Sequence, residues 1–180
     1  MDEMPTSLDH IGRDILRKDV FMHVAIQLSR LGTCPRKAVG AVLVRDGRAI
    51  SWGYNGAAPG LPHCDQNNHG WVLKNPPPDM DEQAVMIWES QMLEEHGCRN
   101  ATHAEANALS FAAKQGISTD GCELFVTVAP CDTCSKLLIA AGVRRVYYEE
   151  EYRDPAGVEL LRLAGVGAVH QEFHGGGLNI

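Results

Sequence analysis

A chain of 180 residues has room for one domain with a real hydrophobic core and too little for two comfortable ones. Its 44% hydrophobic and 22% charged residues are ordinary for a globular protein, and the absence of any run of about 18 apolar residues excludes a transmembrane helix. The formal charge of −7 argues against a broad nucleic-acid footprint, whereas one small anion needs only one or two local donors such as Arg36, Lys37 or Lys114. Met1 to Pro5 lack the apolar core of a secretory signal, so the chain reads as cytoplasmic. In that reducing setting the six cysteines read as metal-binding or redox groups rather than disulfides.

Residues 8–31 predict an amphipathic helix, because Ile11, Ile15, Phe21, Val24, Ala25, Leu28 and Leu31 recur at roughly helical spacing and Gly32 follows. Residues 38–45 and 48–54 predict two strands joined by an Asp46-Gly47 hairpin turn. Both strands are apolar enough to predict helices on each face of the sheet. Residues 55–102 read as a long insertion containing one helix, 81–95. A helix follows from His103 to Gly116, then a strand at 122–128, a short helix from Cys131 to Ala141 and a strand at 143–148. A helix at 156–163, a strand at 166–171 and a flexible tail over 175–180 complete the chain. This order predicts a single three-layer α/β/α domain spanning 1–180 around a mixed five-stranded sheet, its first two strands antiparallel and the rest largely parallel.

Chemistry concentrates in His103-Ala104-Glu105 and Pro130-Cys131-Asp132-Thr133-Cys134. One imidazole and two thiols make three zinc ligands, which leaves one coordination position open, and a carboxylate two residues after the imidazole is not needed to hold metal. Cys131 and Cys134 share one face at a helix start, where the helix dipole favours the thiolates zinc requires. His103 opens a second helix. The set describes a catalytic zinc that makes water nucleophilic, with Glu105 as the general acid/base. A closed structural zinc would leave Glu105 without a role.

H-x-E followed by P-C-x-x-C is the general signature of zinc nucleobase deaminases, which act on cytosine C4 or adenine C6. The chain resembles the cytidine and deoxycytidylate deaminase superfamily over about 20–152, and within it the deoxycytidylate deaminases of bacteria and bacteriophages. The resemblance is carried by Thr33-Cys34-Pro35-Arg36, Val39-Gly40-Ala41-Val42, Gly53-Tyr54-Asn55-Gly56, Gly60-Leu61-Pro62-His63-Cys64, Cys98 before His103-Ala104-Glu105-Ala106-Asn107-Ala108, and the Pro130 to Cys134 motif. It implies hydrolysis of dCMP to dUMP and ammonia, supplying thymidylate synthesis, with 5-substituted dCMP left open. It also implies a homo-oligomer, often a hexamer, activated by dCTP and inhibited by dTTP.

By position in the family, Asn55, Tyr152 and Ala104 are expected at the substrate, and Tyr54, Gly56 and Lys114 at a nucleotide or assembly site. Cys34, Cys64 and Cys98 fall where relatives hold a second, structural zinc. For its fourth ligand His63, His69 and His96 compete, with His63 preferred. Cys122 reads as an ordinary buried thiol, and His10, His23, His170 and His174 as structural or surface residues. Trp52, Trp71 and Trp88 are expected in core or subunit-interface packing. The competing functions are a deaminase acting on tRNA or single-stranded DNA, which would need a basic groove, and a non-catalytic zinc-stabilised binding module.

Overall fold

The computed structural model describes residues 10–64, 77–96, 98 and 100–171. The expected tail, His69, Trp71 and His174 lie outside these residues. Helix α1 (His10–Ser29) leads into strands β1 (Gly40–Arg45) and β2 (Arg48–Tyr54). The hairpin between them turns at Asp46 and Gly47, whose φ values of 51° and 71° are the two positive angles a tight two-residue hairpin turn demands. The insertion contributes β3 (Gly56–Ala57), α2 (Glu82–His96) and β4 (Ala101–Thr102). Beyond it come α3 (Ala104–Lys114), β5 (Glu123–Val128), α4 (Asp132–Ala140), β6 (Arg145–Glu150), α5 (Ala156–Leu163) and β7 (Gly167–His170).

The main sheet has the order β2-β1-β5-β6-β7. β1 pairs antiparallel with both β2 and β5, while β5, β6 and β7 run parallel, as expected when helices α4 and α5 form the crossovers. Strand alternation divides the core in two. Val42, Val44, Phe125 and Tyr147 point towards Met22 and Ala25 of α1. Ala41, Leu43, Leu124, Val126, Val146 and Tyr148 point the other way, onto Ala104 and Ala108 of α3, Leu138 of α4, and Val158 and Leu161 of α5. The result is the expected three-layer arrangement, α1 on one face and α3, α4 and α5 on the other. Phe125 stacks on Tyr147 at 4.7 Å between centroids, a pairing worth roughly 0.5–1.5 kcal/mol beyond the apolar area it buries.

Two expectations need correction. β1 is buried along its length, but β2 is not: as the edge strand it leaves Arg48, Ala49 and Trp52 exposed. Trp52 is therefore not a core residue; it stacks on Tyr54 and Phe111 at the surface, each at 6.3 Å. The insertion also holds more than one helix. β3 and β4 pair antiparallel through Gly56–Thr102 and Ala57–Ala101, fastening its two ends together. Two-residue strands carry too little periodicity to be read from sequence.

Two side-chain bonds root α3 on the edge strand. Ser51 Oγ donates to the Ala108 carbonyl at 2.7 Å, and Asn107 Nδ2 donates to the Tyr54 carbonyl at 3.0 Å. The first turn of α3 is thereby held over the end of β2, next to the carboxyl ends of β5 and β6, where α/β sheets place their ligands.

Candidate active site

His103 and Cys131 occupy equivalent positions, each the extended residue immediately before a helix, with φ/ψ of −70°/152° before α3 and −69°/170° before α4. Neither side chain caps its own helix, so both turn into the space between the helix starts. There Cys131 Sγ lies 3.5 Å and Cys134 Sγ 3.4 Å from His103 Nδ1. A tetrahedral zinc with Zn–S near 2.3 Å and Zn–N near 2.0–2.1 Å has S···N edges of about 3.5 Å. The donor set therefore fits zinc without rearrangement, and His103 would bind through Nδ1.

The charge state of the trio points the same way. The hydrogen bond from Cys134, with another from His103, pulls the Cys131 thiol down to about 4. The Cys134 thiol is pushed up, first by its bond to Cys131 and then by burial. His103 is raised by its hydrogen bond with Cys131. One thiolate is stabilised at the expense of its neighbour, the behaviour of two sulfurs crowded at a site that a divalent cation would complete. Glu105, in the first turn of α3, is only 4% exposed, and burial pushes its carboxyl up to about 7. The neighbouring His103 and a hydrogen bond with Cys134 act against that rise, which places the carboxyl beside the ligand trio.

His103, Glu105 and Cys131 line a cavity of about 430 Å³. Asn55 and Tyr152, both predicted, line it as well. Asn55 is buried, its Oδ1 accepting from the Val39 N–H at 2.8 Å and its Nδ2 donating to the Lys37 carbonyl at 2.5 Å. It thus holds the 37–39 loop and the cavity wall together. Arg36 and Lys37 stand at the rim, Lys37 paired with Glu150. Two charged wall residues were not singled out from sequence, Glu151 and Arg153. The Arg153 guanidinium lies 5.9 Å from the centroid of the Tyr152 ring. Their signal was their place directly after β6, at the carboxyl end of a parallel strand.

Other predicted residues sit elsewhere. Ala104 is fully buried in the core and does not line this cavity. Tyr54 and Gly56 line a second cavity of about 380 Å³, with Trp52, Asn107 and Phe111. Lys114 is exposed in the last turn of α3, about 14 Å along the helix from Glu105. Cys122 is buried, and burial raises its thiol to about 11. His23 Nδ1 contacts the Asp19 carbonyl at 2.8 Å, and His170 Nε2 the Glu149 carbonyl at 2.9 Å.

Cys34, Cys64 and Cys98 do come together, their sulfurs all within 4.8 Å of one another. The 3.6 Å between Cys64 and Cys98 is far beyond a disulfide bond of about 2.05 Å and close to the S···S edge of a zinc tetrahedron, about 3.8 Å. Burial pushes the Cys64 thiol up to about 12. His63 is not in this group; it is exposed and lines the second cavity. Cys34 and Cys98 also line the first cavity, so the three-thiol cluster and the candidate active site share a wall.

The cytidine and deoxycytidylate deaminase zinc-binding region matches residues 17–150 of this chain. The chain belongs to that zinc-binding deaminase family. ComE operon protein 2 of Bacillus subtilis (strain 168) is 40% identical over 147 residues, which cover 81% of this chain and 66% of that relative. Deoxycytidylate deaminase of Enterobacteria phage T2 is 31% identical over 169 residues, covering 84% of this chain and 90% of the phage enzyme. The crystal structure of dCMP deaminase from the cyanophage S-TIM5 in complex with dCMP and dUMP aligns over 92% of this chain and 100% of its own, with a TM-score of 0.66 at 29% identity.

Proposed function

We propose that the protein hydrolyses dCMP to dUMP and ammonia, supplying dUMP for thymidylate synthesis. The observation that carries this reading is that one cavity is lined both by His103, Cys131 and Glu105 and by Arg36, Lys37 and Arg153, with Cys134 gathered beside His103 and Cys131. The first group suits the chemistry at the base and the second suits a phosphate. The names of the phage relatives and the nucleotides in the cyanophage enzyme support the same reading.

Bound zinc would act as the Lewis acid that makes water nucleophilic at neutral pH. Glu105 then performs the proton transfers. It removes a proton from the attacking water and delivers it to the ring nitrogen beside C4, then takes the remaining proton from the hydroxyl added at C4 and gives it to the amine, which departs as ammonia as the C4 carbonyl forms. Its burial suits the role, because a carboxyl held near neutrality exchanges protons in both directions. Asn55 braces the loop that bears Arg36 and Lys37 and keeps polar groups at the sugar side of the cavity. The three cations give the 5′-phosphate its partners, and charge-assisted contacts of that kind contribute about 1.5–3 kcal/mol each.

The proposal includes a second, structural zinc on Cys34, Cys64 and Cys98, supported by their convergence. It also includes activation by dCTP and inhibition by dTTP. The second cavity, lined by Tyr54 and Gly56, supports a place for such an effector. A homohexamer completes the proposal, supported by the surface-exposed stack of Trp52 and Phe111.

The test is ammonia release from deoxycytidine, dCMP, 5-methyl-dCMP, CMP, dCTP and a short single-stranded oligonucleotide, each with and without dCTP and dTTP as effectors. Selective turnover of dCMP is expected. Equal turnover of the bare nucleoside, or turnover of the oligonucleotide alone, would overturn the monophosphate assignment.

A further inference from the structure

Among the described residues, three glycines sit where an added methyl group would meet backbone at only 2.0–2.4 Å, and none of the three lies in the left-handed region, so their role is close approach rather than backbone freedom. A Cβ on Gly157, in the first turn of α5, would stand 2.0 Å from the Pro130 carbonyl oxygen and 2.7 Å from the carbonyl carbon of Cys131. A Cβ on Gly53, in β2, would stand 2.4 Å from the Ala104 carbonyl oxygen and 2.6 Å from the Ala108 nitrogen. A Cβ on Gly40, in β1, would stand 2.0 Å from the Ala25 carbonyl oxygen in α1.

The first two differ from the third in what they press upon. Gly157 lets α5 lie directly against the turn that presents Cys131. Gly53 lets the first turn of α3, with His103 just before it and Glu105 within it, lie directly on β2. Gly40 seats α1, which carries no ligand. We infer that Gly53 and Gly157 are positioning residues for the metal donors: they set the two helix starts at the separation that brings His103 Nδ1 within 3.5 Å of both sulfurs. The inference rests on the reading that His103, Cys131 and Cys134 hold zinc.

Relieving a 2.0 Å contact to an ordinary distance requires a backbone shift of about 1 Å or more, and a functional constellation tolerates only about 0.5 Å. The shift at Gly157 would act on Cys131 itself. The shift at Gly53 would lift His103 and Glu105 together. Either one opens the S···N edges.

The experiment compares Gly157→Ala, Gly53→Ala and Gly40→Ala in the full chain, by zinc affinity against a chromophoric chelator and by cadmium NMR, which distinguishes a two-thiolate site from a three-thiolate one. Gly157→Ala and Gly53→Ala are expected to weaken metal binding at the two-thiolate site about 10- to 100-fold, the range for groups that orient ligands, and to move its cadmium resonance. Gly40→Ala, with an equally severe collision, is expected to lower Tm and leave that affinity and resonance unchanged. Should Gly157→Ala yield no folded protein, Leu161→Ala loosens the fully buried anchor of α5 without adding an atom, and it too is expected to weaken zinc binding at that site. Wild-type affinity and resonance in Gly157→Ala and Gly53→Ala, or in Leu161→Ala where it replaces the former, would overturn the inference. A wild-type protein with no two-thiolate resonance would instead sink the zinc reading beneath it.

Discussion

The two sulfur-rich clusters are built on opposite plans. His103, Cys131 and Cys134 stand at the starts of α3 and α4, elements rooted in the main sheet by Ser51, Asn107 and the core beneath them. Cys34, Cys64 and Cys98 stand on connecting segments: the stretch after α1, the loop after β3, and the residues between α2 and β4. In the first cluster secondary structure places the donors and a metal would use them. In the second, among the described residues, the donor segments are joined by the short β3–β4 pairing and by single bonds such as Asn100 Nδ2 donating to the Pro62 carbonyl and the Ala57 N–H donating to Thr33 Oγ1, so a metal there would complete the fold of the insertion by closing its loops. The difference teaches that similar ligand atoms can be a consequence of a fold in one place and a cause of it in another.

Removing metal separates the two plans most sharply. Stripping zinc with a chelator is expected to abolish ammonia release while circular dichroism retains the signal of the main sheet, and limited proteolysis is expected to cut first within 55–102. Protease resistance of that segment in metal-free protein would contradict the second half of the comparison. Next in size, Cys131→Ser is expected to eliminate activity with a small change in Tm. Cys64→Ser is expected to do the reverse, retaining measurable turnover while lowering Tm by several degrees, since 1 kcal/mol corresponds to about 2–4 °C for a chain of this size. Calorimetry and ammonia assays on the same preparations check both.

The catalytic plan was legible in the sequence because it is local. His103 and Glu105 lie at one helix start and Cys131 and Cys134 at another, where i,i+3 spacing puts the two thiols on one face. The unbroken apolar run Ala41-Val42-Leu43-Val44 likewise declared a strand covered on both faces. The second cluster was visible only through the family resemblance, because the spacings among Cys34, Cys64 and Cys98 encode no periodicity. Its expected fourth ligand, His63, is not gathered with the three sulfurs, and nothing in the adjacency of His63 to Cys64 fixes where the ring points. The wall proposed to meet the phosphate was harder still. Arg153 and Glu151 reach the cavity through the direction of β6, a property of the assembled sheet rather than of the segment.

A smaller effect tests that side of the cavity. Arg153→Ala is expected to raise KM for dCMP about tenfold, the equivalent of one charge-assisted contact, with kcat nearly unchanged and turnover of deoxycytidine unaffected. A matching loss with both substrates would place Arg153 outside phosphate recognition. The smallest effect is expected for Trp52→Ala, which does not touch the cavity lined by His103 and Glu105; sedimentation is expected to report a weakened assembly with a kcat per active site, without effectors, within about twofold of the wild type.

The most direct measurement is ammonia release from dCMP by the Glu105→Gln protein, with zinc content determined on the same sample. The substitution keeps the size of the side chain and removes its ability to carry a proton, so turnover is expected to fall at least about 100-fold, the lower bound for general acid–base catalysis, while the two-thiolate site stays loaded. Activity near the wild-type level in fully zinc-loaded Glu105→Gln protein would contradict the account.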